Sequence, residues 1–106
     1  MDKPDLRRHQ RILVPAGYNM RATANSGGAH LQGTVSVIGL GGMFIRTKNT
    51  YSFGTVLHLQ LDDPSDSFEA KCTVRHVAEN GVGVEITEIS DANEQRLRNL
   101  LLRLKA

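Results

Sequence analysis

The chain has 106 residues, 40% of them hydrophobic and 23% charged, which suits one globular domain and leaves no room for a second core. Thirteen Lys/Arg against eleven Asp/Glu give a net charge of +2, too small an excess for a general polyanion binder, so any basic function must come from local clustering. The single cysteine, Cys72, excludes an intramolecular disulfide and fits a reducing compartment.

Residues 1–11 are polar and charged, contain Pro4, and read as a flexible arm ending in Arg7-Arg8-His9-Gln10-Arg11. This start is unlike a secretory signal, and no stretch approaches the ~18 apolar residues of a membrane span, so a cytoplasmic location is expected. Residues 12–106 read as a single domain. Ile12-Leu13-Val14 opens a strand, and Asn25-Ser26-Gly27-Gly28 is the clearest early turn. From Leu31 the period is two, with Leu31, Gly33, Val35 and Val37 on one face. Gly39-Leu40-Gly41-Gly42 interrupts the pattern, and Met43-Phe44-Ile45-Arg46 resumes it. Residues 56–61 place Leu57, Leu59 and Leu61 on one face.

Asp62-Asp63-Pro64-Ser65-Asp66 has the composition of a loop. Beyond it Phe68, Ala70, Cys72, Val74 and His76 alternate with polar residues, and Asn80-Gly81 signals a hairpin turn into residues 82–87. The period then changes. Leu97, Leu100, Leu101 and Leu104 form one helical stripe, preceded by Asp91 and Glu94 at capping-box spacing, with Ser90 as the competing cap. The pattern predicts a mainly β chain, an antiparallel β-barrel or sandwich followed by an amphipathic α-helix.

Catalytic constellations are poorly represented, and an enzyme is not expected. His9, His30, His58 and His76 are scattered. Cys72 and His76 on one strand point the same way but lie about 13 Å apart, too far to share a metal. The acidic turn lacks the glycine and distal glutamate of a calcium loop. No metal and no cofactor are expected.

Two clusters point instead to ligand binding. Arg7, Arg8 and Arg11 put three guanidiniums within five residues, each a planar fork that fits phosphate oxygens or the O6/N7 edge of guanine. The glycines from Gly39 to Gly42 offer bare backbone that a flat base or a phosphate can approach closely, or else mark a bulge or sharp barrel bend.

In combination these features resemble the PilZ domain family. The resemblance rests on Arg7-x-x-x-Arg11 ahead of the barrel, Gly41-Gly42-Met43-Phe44-Ile45, the strand carrying Val74-Arg75-His76, the turn Asn80-Gly81-Val82-Gly83-Val84, and the leucine-striped helix. It covers residues 7–104. It implies a six-stranded antiparallel barrel that binds the bacterial second messenger cyclic di-GMP, with Arg7 and Arg11 reaching guanine and phosphate and Arg8 beside them. The family's second motif, (D/N)xSxxG, is degenerate here. Aligned on Gly42, it has Val37 at the acidic position and Gly39 at the serine position; a shifted register through Thr34, Ser36 and Gly39 keeps the serine and glycine instead. The first is preferred because Val37 continues the alternating face. The implied ligand residues are Arg7, Arg8, Arg11, Gly42, Gly39 and Ser36.

The resemblance implies a signalling receptor or adaptor whose arginine arm is ordered by cyclic di-GMP and so alters a surface read by an effector protein in motility, pilus or envelope machinery. The alternative, motivated by Val37 and Gly39, is a PilZ protein-interaction module that does not bind the nucleotide. Nucleic acid is not an expected partner, since five aromatic residues and weak net charge supply neither stacking platforms nor phosphate neutralisation. Leu102, off the helical stripe, leaves homo-oligomerisation open.

Overall fold

The computed structural model describes residues 11–26 and 29–105. Along the chain run β1 (Ile12–Leu13), β2 (Arg21–Ser26), β3 (Ala29–Ile38), β4 (Gly42–Arg46), β5 (Val56–Asp62), β6 (Ser67–Ala78), β7 (Gly81–Glu88) and α1 (Asp91–Lys105). Strands β2 to β7 form a closed six-stranded antiparallel barrel in the order β3-β2-β5-β6-β7-β4, completed by pairing of β4 with β3. The ten-residue β3 makes closure possible. Residues 29–34 pair with β2, and residues 34–38 pair with β4. β1 adds a short seventh strand at the end of β3, with Ile12 opposite Ile38 and Leu13 opposite Val37.

The period-two pattern produces this barrel by sending alternate side chains inward. Leu57, Leu59 and Leu61 of β5 and Phe68, Ala70, Cys72 and Val74 of β6 are all buried. β2, the strand the sequence reading passes over, follows the same rule with small residues. Ala22 and Ala24 point inward but carry little hydrophobic signal. Asn25 and Ser26, expected in the turn, belong to β2, whose last pair is Ser26 with Ala29.

Register shifts interrupt the pairing at three places, Val35/Val37 on β3 and Lys71/Cys72 and Val74/His76 on β6, and the first and last of these change which side chains face out. On β3 the register against β4 shifts between Val35 and Val37, so Ile38 is fully buried while Val37 is only half-buried. The expected face of Leu31, Gly33, Val35 and Val37 therefore ends at Val35. On β6 a register shift between Val74 and His76 leaves both Arg75 and His76 on the outside. Cys72 points into the core and His76 away from it, so these two do not share a face. An extra residue in one strand produces this reversal, because alternation restarts out of phase beyond it.

The β6–β7 turn is also displaced by one residue from its expected place. Its central residues are Glu79 and Asn80, and Gly81 already pairs with Ala78. Gly81 is needed for space: a Cβ there would lie 2.2 Å from the Ile45 carbonyl oxygen and 2.8 Å from the Phe44 ring.

The helix is capped by Ser90, whose Oγ accepts the Asn93 N–H at 3.2 Å. Leu97 and Leu100 are buried in the core, Leu101 and Leu104 pack at its edge, and Leu102 is exposed. Polar ties fix α1 to the start of β6: the Glu69 N–H donates to Asn93 Oδ1, and Arg96 donates to the Ser67 carbonyl.

Near its C-terminus, Arg103 reaches Asp63 Oδ2 at 2.8 Å. The Asp63 side chain is only 4% exposed and also accepts the N–H groups of Ser65 and Asp66. The acidic turn is thus a charge-paired joint between the β5–β6 connection and the helix. Burial pushes the Asp63 carboxyl up, but those two N–H donors and Arg103 outweigh it and hold the group below its usual range.

A carboxyl depressed in the folded state contributes stability above its unfolded pKa of about 3.9, and that contribution is lost as pH falls through the folded value. Thermal denaturation of Asp63→Asn should accordingly show a flatter loss of melting temperature than wild type below about pH 4. Identical slopes would remove Asp63 from the acid response.

Candidate functional site

The β3–β4 connection and strands β4, β6 and β7 line a groove of ≈ 280 Å³ on the barrel surface. This is close to the lower end of the ~300–1,000 Å³ typical of small-molecule sites. Its floor is backbone. Gly39, Gly41 and Gly42 come from the β3–β4 connection and the start of β4, and Gly83 from β7. The connection is held by the Gly39 N–H donating to the Gly42 carbonyl and the Ile86 N–H donating to the Gly41 carbonyl, both at 2.9 Å. The walls carry Arg11, Phe44, Arg75, His76 and Glu85.

Glycine is required at Gly42 by steric contact. A Cβ there would sit 2.2 Å from the Val84 carbonyl oxygen and 3.2 Å from the Glu85 Cα, so any side chain forces β4 and β7 apart. The close approach puts Glu85, the register partner of Gly42, at the groove's edge. Gly83 plays a milder part, since a Cβ there would contact the His76 Cβ at 3.2 Å.

Of the residues expected to bind a ligand, Arg11, Gly39 and Gly42 meet in this groove. Arg7 and Arg8 lie outside the described residues. Ser36 is not a lining residue; it occupies the β3 bulge, where its carbonyl accepts the Val14 N–H at 2.9 Å. Val37 pairs with Leu13 and Phe44 and also stays off the groove wall.

Sequence reasoning missed Phe44, Arg75, His76 and Glu85. Arg75 and His76 are adjacent, so strict alternation would send one of them inward. The bulge brings both to the surface, and periodicity alone does not reveal it.

Arg75 Nε donates to Glu85 Oε1 at 2.8 Å, and its guanidinium carbon lies 6.0 Å from the centre of the exposed Phe53 ring. With Arg11 the groove holds two guanidiniums against one carboxylate, a balance that favours an anionic ligand. Phe44 and His76 add flat faces on which a base can stack, an interaction worth ~1–3 kcal/mol per base.

Cys72 lies in the core, where burial pushes its thiol up to about 12; this keeps it protonated and unreactive at neutral pH. Among the described residues no three His, Cys, Asp or Glu side chains are placed to hold a metal ion.

A wider hollow of ≈ 830 Å³ lies over β2, β3, β5 and β6, lined by Thr23, Gln32, His58, Gln60, Glu69 and Lys71 among others. Lys71 there faces Glu88 at 3.6 Å. The hollow has neither the bare backbone nor the paired guanidiniums of the smaller groove, so the smaller one is the better candidate despite its size.

Gly42→Ala should lower stability by about 1–3 kcal/mol in urea denaturation, because the new methyl group meets main chain that has nowhere to move. A wild-type unfolding midpoint would mean that the floor of the groove is looser than this geometry.

Comparison with known proteins places the chain in a family. The model of the PilZ domain matches residues 5–103. The fold is similar to the PilZ domain of YcgR from Escherichia coli, solved with c-di-GMP, at 15% identity and a TM-score of 0.73, covering 95% of this chain and 92% of that one. It is also similar to K. pneumonia MrkH in its c-di-GMP complex, at 17% identity and a TM-score of 0.80, covering 95% of this chain and 52% of that one. A Legionella protein, Lpg0364, aligns at 18% identity with a TM-score of 0.62, over 91% of this chain and 94% of that one. No curated protein matches the chain. A family match over nearly the whole length, together with the closed barrel and its terminal helix, makes this chain a member of the PilZ domain family.

Proposed function

We propose that this chain is a receptor for cyclic di-GMP and that the nucleotide binds in the glycine-floored groove beside Arg11. The observation that carries this reading is the meeting of Arg11 with Gly39, Gly41 and Gly42 in one groove, which joins the two sequence clusters separated by some thirty residues. The dinucleotide carries two phosphates and two guanines. Guanidinium forks suit both, and bare backbone admits a flat base. The groove takes part of such a ligand, and residues 1–11 form the arm that closes over the remainder, with Arg7 and Arg8 supplying further cation forks. Membership of a ligand-binding family and the c-di-GMP present in the YcgR and MrkH structures support this reading.

The output is a surface. An arm ordered by ligand presents a new face to an effector protein of motility, pilus or envelope machinery, in the manner of a segment that folds on binding. The work of the chain is then recognition and not catalysis. No helix among the described residues is long and apolar enough to cross a membrane.

A second reading keeps the barrel and discards the ligand. Val37 and Gly39 stand where the family motif has hydrogen-bonding side chains, and this favours a PilZ module that binds protein alone. Each lost hydrogen bond typically costs ~0.5–1.5 kcal/mol, so two reduce affinity by roughly one to two decades unless other groups compensate.

Calorimetric titration with cyclic di-GMP, with GTP and cyclic AMP as controls, separates the two readings. The receptor reading expects selective binding, weakened at least about tenfold in Arg7→Ala and in Arg11→Ala, since hydrogen bonds to charged groups contribute ~1.5–3 kcal/mol. No heat and no competition at high ligand concentration would favour the protein-interaction module. Wild-type affinity in both variants would remove the arm from the site.

A further inference from the structure

Glu85 is the one carboxylate among the described residues that line the groove, and the family motifs do not account for it. Its Cα is paired with that of Gly42, and its side chain lines the same groove as Arg11 and the glycines. Its partner among the described residues is Arg75, through Nε and Oε1 at 2.8 Å. That leaves Oε2 and the terminal nitrogens of Arg75 as a carboxylate acceptor beside guanidinium donors. A negative charge has no obvious place in a site for a phosphate-bearing ligand. It fits where a ligand offers N–H groups.

Resting on the receptor reading above, we infer that Glu85 is the guanine-reading residue of this groove, accepting from the N1–H and N2–H groups of a bound guanine in place of the acceptors missing at Val37 and Gly39. Guanine presents two adjacent donors on this edge, matching the two oxygens of one carboxylate. Adenine presents an unprotonated N1 there and no N2 amine, and a carboxylate opposite that lone pair is repelled. Arg75 supports the same base from the other side. Held at Nε by Glu85, it can offer its terminal nitrogens to O6, placing donor and acceptor next to each other in the order guanine requires.

The geometry favours substitution from β7 over rescue from elsewhere on β3. Gly42 and Glu85 are direct register partners, and with no side chain on Gly42 the carboxylate flanks bare backbone. Phe44 and His76 provide the faces against which the plane of the base can rest, leaving its edge toward Glu85. The pair of Arg75 and Glu85 is partly exposed, with side-chain accessibilities of 49% and 34%, so a base can reach the free oxygen lone pairs and the terminal nitrogens while the contact between Nε and Oε1 stays closed.

The test is a titration of the full chain with cyclic di-GMP and with cyclic di-AMP, for wild type, Glu85→Gln and Arg75→Ala, with thermal melts confirming that each variant is folded. Wild type should prefer cyclic di-GMP. Glu85→Gln should lose about tenfold or more for cyclic di-GMP and little for cyclic di-AMP, because glutamine sets one donor against a donor. Arg75→Ala should retain a preference for guanine, since Glu85 remains.

If folded Glu85→Gln keeps wild-type affinity and preference, the assignment is overturned while the receptor reading stands. If both variants weaken both nucleotides alike, Glu85 acts only by holding Arg75, and the assignment fails. If the wild-type chain binds neither nucleotide, the receptor reading falls and the assignment falls with it.

Discussion

The groove depends on one close approach. β4 and β7 run side by side at Gly42 with the Val84 carbonyl oxygen occupying the space a side chain would need. Nothing larger than hydrogen fits there, so the surface over this junction is backbone flanked by whatever the neighbouring positions project. The β3–β4 connection lengthens the bare strip through Gly39 and Gly41, and Gly83 extends it onto β7. A barrel wall that would otherwise be a continuous layer of side chains is opened at one place. Gly42 also keeps the barrel tight, because β4 is the strand that closes it by pairing with both β3 and β7.

The bulge on β6 is the complementary device. It turns an interior-exterior alternation into two successive exterior residues and so adds both Arg75 and His76 to the groove without lengthening a loop. Charges borne on strands are held more firmly than charges on a loop, and Arg75 is steadied further by Glu85 on one side and Phe53 near it. The helix stands apart from this surface. It fills the core through Leu97 and Leu100 and is tied to the start of β6 and the 63–66 loop by Asn93, Arg96 and Arg103. Within the described residues the helix serves stability and does not line the groove, whereas Gly42 belongs both to the groove and to the closure of the barrel.

Much of the barrel was legible in the residues. The leucines of β5, the apolar face of β6 and the leucine stripe of α1 each show the period of their element, and Gly41-Gly42-Met43-Phe44-Ile45 carried the family resemblance. β2 was hidden because its buried residues are alanines. The groove was half legible. Clusters of arginine and glycine suggest an anion or base site, but the sequence does not say that Arg11 and Gly42 line one groove. The contributions of Arg75, His76 and Glu85 depend on a bulge and on strand register, which are set by the packing of the whole barrel. In the preferred register, Val37 and Gly39 lack the motif's hydrogen-bonding side chains, while the shifted register keeps Ser36. Neither register points to Glu85, more than forty positions later, since only the pairing of β4 with β7 brings it beside Gly42.

The central claim is that ligand enters the groove floored by Gly39, Gly41 and Gly42. Backbone amide NMR of isotopically labelled protein during titration with cyclic di-GMP tests it most directly. The account predicts shifts concentrated at Arg11, Gly39, Gly41, Gly42, Arg75, His76 and Glu85, with Thr23, His58 and Lys71 of the wider hollow unmoved. Saturating shifts at the hollow with the glycine strip unchanged would contradict it.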